Sequence, residues 1–113
     1  MHYRGIVLRG ERRGTALGFP TANIAYDGAE SGIYAALVRF GGLEFHAAVY
    51  ADSARKILEA HLGKYSGGDL YGKEVQIELL KKIREDKKFD DEFALKAQIQ
   101  KDIFAVRDYF QNL

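Results

Sequence analysis

IYAALVRFGGLEFHAAVY, running from Ile33 to Tyr50, is the stretch on which the fold turns. Ile33 to Phe40 is apolar at nearly every position, as a strand buried on both faces must be, and Gly41-Gly42 follows at once. Beyond the glycines, Leu43, Phe45, Ala47 and Val49 alternate with Glu44, His46, Ala48 and Tyr50, a period of two that turns one face inward. Two such runs joined by Gly-Gly predict a β-hairpin.

The same signal recurs on either side. Val75, Ile77 and Leu79 alternate with Gln76 and Glu78, and Asp69 to Gly72 reads as a turn leading into that strand. Lys56 to Leu62 suits a helical stripe about as well as a short strand, and is taken as a strand. Tyr3 to Arg9 is short and β-prone and stops at Gly10, after which Glu11 to Pro20 reads as a long, basic, Gly-rich loop. The last third changes period. Leu95, Ile99, Ile103, Val106 and Phe110 are spaced four, four, three and four residues apart, which predicts an amphipathic helix, with Asp90 or Asp91 ahead of it to cap its first amides. Short strands with Gly-containing turns, then one helix, predict a mostly β chain: a closed or nearly closed antiparallel barrel with a C-terminal α-helix on its side. The βαβ alternation of a Rossmann fold is missing, and no Gly-Lys-Ser/Thr follows the glycines as a Walker A loop would require.

Composition narrows the function classes. At 113 residues, 47% apolar and 29% charged with a single Pro, residues 1–113 are expected to form one self-folding domain with no room for a second catalytic one. A net charge of +1 gives no field of one sign to attract a nucleic acid or a membrane, so any anion site must be local. The lack of cysteine removes disulfides, thiolate zinc sites and thiol nucleophiles. With neither an apolar signal core in Met1 to Leu8 nor a bilayer-length apolar run, the expectation is a cytoplasmic protein, and it is taken as a monomer.

Four segments carry groups suited to chemistry. In GERRGTALGFPTAN, Gly10 to Asn23, the glycines let a ligand approach the backbone, Arg12 and Arg13 supply charge, and Thr21 and Asn23 offer neutral oxygens suited to a hard cation. Composition alone favours an ordinary surface loop there. Glu59 stands in an apolar run with His61 on the same face of a strand; it could accept a proton from a substrate hydroxyl, although a solvated Glu at a sheet edge is the commoner case. Tyr71, in the turn before the strand, could cover a planar ring or simply pack. Arg84 to Phe89, REDKKF, has the look of a solvated charge run, with Phe89 more suited to plugging a core.

Taken in order, LGFPTAN (Leu17 to Asn23), GIY (Gly32 to Tyr34), LEAHL (Leu58 to Leu62), DLYG (Asp69 to Gly72), IREDKKF (Ile83 to Phe89) and ALKAQIQKD (Ala94 to Asp102) resemble the signature stretches of the riboflavin kinase family. The resemblance implies a six-stranded antiparallel Greek-key barrel that transfers the γ-phosphoryl group of ATP to the ribityl 5′-hydroxyl of riboflavin, giving FMN and ADP. Carried over by motif, Thr21 and Asn23 would hold Mg²⁺, and the loop with Gly10, Arg13, Gly14 and Gly18 would wrap the ATP phosphates. Glu59 would be the general base, Leu62 and Tyr71 would line the nucleotide side, and Arg84, Lys87 and Phe89 would contact riboflavin or FMN. Phosphoryl transfer is mostly positioning and charge neutralisation, so a metal, backbone amides and one base suffice.

The chain departs from the family at Arg12, where Gly is common, near Thr15, where a basic residue is common, and over Tyr50 to Lys56, YADSARK, where a longer loop with Gly and Pro-Thr is usual. FMN rather than FAD is the product implied. The alternative is the same barrel binding flavin or nucleotide without turnover.

Overall fold

In the computed structural model, which describes residues 1–9, 21–62 and 70–113, Gly41 and Gly42 have φ of +57° and +77°. Phe40 pairs with Leu43 across them, so the hairpin closes through a two-residue turn with both central residues at positive φ, the type I′ geometry that matches strand twist. The strands are β1 (His2–Ile6), β2 (Thr21–Ala25), β3 (Gly32–Phe40), β4 (Leu43–Asp52), β5 (Ile57–Leu62) and β6 (Glu74–Arg84), followed by helix α1 (Glu92–Gln111).

Among the described residues all five pairings are antiparallel, in the order β1-β6-β3-β4-β5-β2. Strands β3, β4 and β5 form a meander, and β6 returns beside β3, which is a Greek key. The edge strands β1 and β2 then approach each other: the Leu8 amide donates to the Asn23 carbonyl at 2.7 Å, nearly closing the barrel. Gly5 makes that approach possible, since a Cβ there would lie 3.1 Å from the Cβ of Ile24.

The barrel interior alternates large and small side chains, with Ile24, Val38, Val49, Leu58, Val75 and Ile77 set among Ala22, Ala36, Ala47, Ala51 and Ala60. Each fully buried Val, Leu or Ile contributes roughly 1.5–3 kcal/mol. An exposed pair such as Arg39 Nε to Glu44 Oε2, 2.7 Å apart, is screened by solvent and adds little, so the core outweighs the surface charges. On the outer face, Ala35 and Ala48 are cross-strand partners and are both buried. Their small side chains form the seat on which Val106 packs, flanked by Ile103, Tyr109 and Phe110. Asp91 caps α1 by accepting from the Ala94 amide at 2.7 Å. Among the described residues no helix is long and apolar enough to cross a membrane.

The barrel and helix agree with the sequence reading, and four local expectations need correction. The first strand ends at Ile6, with only Leu8 making a further bridge, instead of running to Arg9. Leu43 belongs to the inward set by periodicity, yet it is 57% exposed because it sits against the hairpin turn at the end of the barrel. Ala48, on the face expected to be solvated, is buried beneath α1. Strand β6 continues through Arg84, so the charge run starts inside the sheet and its first side chain is largely buried by an ion pair.

Candidate active site

Register on the outer face of the barrel builds the site. Asn23 pairs with Glu59, Glu59 with Tyr50, Tyr50 with Ile33, and Ile33 with Arg84, a single row crossing β2, β5, β4, β3 and β6. Alternation along each strand aims these side chains away from the core, because Ala22 and Ile24, Leu58 and Ala60, Val49 and Ala51 take the inward positions. Opposite the row, Leu95, Ile99 and Asp102 of α1 complete a cleft of about 360 Å³. The segment after β6 adds Lys87 and Phe89 to its wall.

The cleft brings together Asn23, Glu59, Arg84, Lys87 and Phe89, five residues singled out from sequence segments far apart in the chain. Glu59 is partly exposed, and its Oε1 lies 3.5 Å from Nε2 of the nearly buried His61. Two buried polar atoms here have no hydrogen-bond partner among the described residues, Oδ1 of Asn23 and Nδ1 of His61. A buried, unsatisfied amide oxygen costs about 1–3 kcal/mol. That cost is relieved by a cation, and a neutral oxygen beside a carboxylate suits a hard one. Thr21, two residues along β2 and paired with His61, shares the outer face with Asn23. Among the described residues no cluster of three or more His, Cys, Asp or Glu could hold a metal by itself. A cation here would depend on Asn23, Thr21 and its own accompanying anion, which is how Mg²⁺ is commonly bound with phosphates.

At the other end of the row, the Arg84 guanidinium is tied to Asp102 of α1 through two hydrogen bonds of 2.8 Å. The Phe89 ring lies 6.0 Å from Arg84 Cζ and 5.8 Å from Lys87 Nζ. Burial first, and a hydrogen bond with Asp86 second, raise the pKa of Tyr50, so its phenol stays protonated. His61 also borders a second cleft of about 350 Å³ beside the C-terminal half of α1, where the His46 ring stacks on Phe110 at 3.7 Å.

Other sequence candidates lie apart from the cleft. Leu62 is in the barrel core, and Tyr71 is half-exposed with Arg9 stacked 4.4 Å over its ring. Gly10, Arg13, Gly14 and Gly18 fall outside the described residues, as does Arg12. Sequence reasoning passed over Tyr50 and Asp102. Tyr50 shares the period-two face of Ala48 and Asp52, which was the available signal. Asp102 interrupts an apolar helical stripe three residues after Ile99 and four before Val106.

A family model described as Flavokinase, riboflavin kinase, matches residues 1–110. The chain is 34% identical over 117 residues to the RNA-binding riboflavin kinase RibR of Bacillus subtilis (strain 168), covering 95% of this chain and 50% of that protein. It spans 38% of a second curated relative, the bifunctional riboflavin kinase/FMN adenylyltransferase of Haemophilus influenzae, so it covers half or less of the length of these two relatives. Among solved structures it is similar to a macrolide-efflux protein from Streptococcus pneumoniae, with a TM-score of 0.80 and 26% identity, covering 94% of this chain and 38% of that one. It is also similar to riboflavin kinase from Trypanosoma brucei, with a TM-score of 0.64 and 27% identity, covering 97% and 79%. A match that spans the six described strands and nearly all of the C-terminal helix means that the chain belongs to the riboflavin kinase family.

Proposed function

We propose that this chain is an ATP:riboflavin 5′-phosphotransferase, making FMN and ADP as a cytoplasmic monomer. One observation carries the reading: a single cleft holds Asn23 and Glu59 at one end and Arg84, Lys87 and Phe89 at the other. Glu59 and Arg84 are three strands apart in the row, about 14 Å along the sheet at roughly 4.8 Å per strand. That separation suits a substrate whose reacting hydroxyl ends a five-carbon chain remote from an aromatic ring.

Glu59 would take the proton of the 5′-hydroxyl as it attacks the γ-phosphorus, and His61, 3.5 Å from Oε1, limits where that carboxylate can swing. Asn23 Oδ1 and the Thr21 hydroxyl would hold Mg²⁺, which when bound neutralises charge on the transferring phosphate. Phe89 and Arg84 would form the aromatic wall for the flavin ring, with Lys87 at its rim. The face of α1 that carries Leu95 and Ile99 keeps bulk water from the far side of the cleft.

The test is product analysis after incubation with riboflavin, ATP and MgCl₂, with an EDTA control. Magnesium-dependent FMN supports the reading. Riboflavin bound but unchanged would favour the alternative of a binding module without turnover.

A further inference from the structure

Helix α1 buries three residues, Ile99, Asp102 and Val106, at the spacing of an apolar stripe. A carboxylate in such a stripe must be paired, and this one is. Asp102 Oδ1 accepts from Arg84 Nε at 2.8 Å and from Gln98 Nε2 at 3.0 Å, and Oδ2 accepts from Arg84 Nη2 at 2.8 Å. The remaining guanidinium nitrogen, Nη1, donates to the Glu85 carbonyl at 2.9 Å. Every nitrogen of the Arg84 fork is thereby engaged along its edge, and the plane of the group is fixed on the cleft wall beside Phe89.

Stability alone does not account for the pair. Replacing a buried ion pair by apolar side chains of similar volume is often neutral or stabilising, and Ile99 and Val106 already anchor the helix. What an apolar replacement cannot do is fix a guanidinium in one plane. A bidentate fork does so: three of the five N–H donors are engaged along the edge, and the flat face with which arginine stacks on aromatic rings is held in one orientation.

We propose that Asp102, supported by Gln98, is a positioning residue that presents Arg84 as a flat platform for the flavin ring. Arg84 then recognises the ring by stacking on its face. This rests on the reading of Arg84 as a flavin contact, and it assigns a role to two helix residues outside that reading.

The experiment is a mutant cycle on the full chain, measuring kcat, KM for riboflavin and for ATP, riboflavin affinity by fluorescence quenching, and the urea midpoint. Asp102→Asn puts an amide N–H against a guanidinium N–H. It is expected to raise KM and Kd for riboflavin about tenfold, the effect of one charge-assisted hydrogen bond, while kcat at saturation and KM for ATP hold. Gln98→Ala should move the same constants less. Arg84→Lys, with charge but no plane, should do no better than Arg84→Ala. Arg84→Ala combined with Asp102→Asn should be no worse than Arg84→Ala alone. A lowered urea midpoint with riboflavin KM unchanged, or additive losses in the double variant, overturns the proposal. Should Asp102→Asn not fold, Gln98→Ala decides by the same constants. A wild-type chain that binds no riboflavin overturns the functional reading as well, whereas wild-type turnover that Asp102→Asn and Gln98→Ala leave untouched overturns this inference alone.

Discussion

Asn23 and Glu59 stand directly opposite one another across the β2–β5 pair, with their side chains on the outer face of the barrel. Directly opposed residues in an antiparallel pair have Cβ atoms about 4.5–5.5 Å apart. The candidate metal ligand and the candidate base are therefore set at a fixed separation by sheet hydrogen bonds and not by loops, the kind of support that precise chemistry needs.

Replacing Glu59 by Gln keeps the shape of the side chain and removes the proton acceptor. Turnover should fall by about two to four orders of magnitude while riboflavin affinity holds. Fluorescence titration beside an FMN assay checks both; an unchanged rate would take the base role away from Glu59.

Asn23→Ala should separate activity from stability. Its Oδ1 is buried without a partner among the described residues, so removing the amide relieves a penalty of about 1–3 kcal/mol, set against a small cavity of similar cost. The urea midpoint should stay nearly level while the magnesium concentration needed for half-maximal turnover rises. A large drop in the midpoint with normal magnesium dependence would mean that the amide serves the fold instead.

What the sequence made legible follows from locality. The period of two in Leu43 to Tyr50 and the spacing of Ile99, Ile103 and Val106 are properties of single elements, so the hairpin and the helix could be read from them. The Asn23–Glu59 pairing could not, because β2 meets β5 only after the Greek key has ordered the other strands. Motif resemblance supplied those two residues separately, and the fold made them neighbours. Asp102 stayed hidden because a carboxylate on a helix reads as solvated until its arginine is found eighteen residues away. Arg84 was obscured for the same reason, as the first member of a charge run that proves to be the last residue of β6.

Gly5 is where the barrel seam can be tested. Alanine there lowers the entropy of the unfolded chain, a gain of about 0.4–1 kcal/mol. Against that, its Cβ would meet the Cβ of Ile24 at 3.1 Å, and a Cβ cannot rotate away as a side-chain terminus can. Overpacking of this kind costs about 1–3 kcal/mol, so Gly5→Ala should lower the urea midpoint. A raised midpoint would mean that β1 and β2 are less closely apposed.

The alkaline limit of stability should trace to the tyrosines beside Glu30. The Tyr26 hydroxyl donates to the Glu30 carbonyl at 2.9 Å and its carboxylate at 3.0 Å, Tyr3 donates to the same carboxylate at 3.1 Å, and the two rings meet edge-on. Burial first, and the hydrogen bond to Glu30 second, raise the pKa of both phenols. The folded chain then keeps these protons at a pH where the unfolded chain has lost them. Their contribution is fully present below the unfolded tyrosine pKa of about 10 and is lost as pH climbs from there toward the folded values. The urea midpoint should therefore decline above about pH 10, and Tyr26→Phe, which keeps the ring packing, should decline less steeply although it starts lower. Phenolate absorbance at equilibrium supplies the second check, because Tyr26 should ionise together with unfolding instead of ahead of it. An equally steep decline in Tyr26→Phe would assign the alkaline loss to other groups.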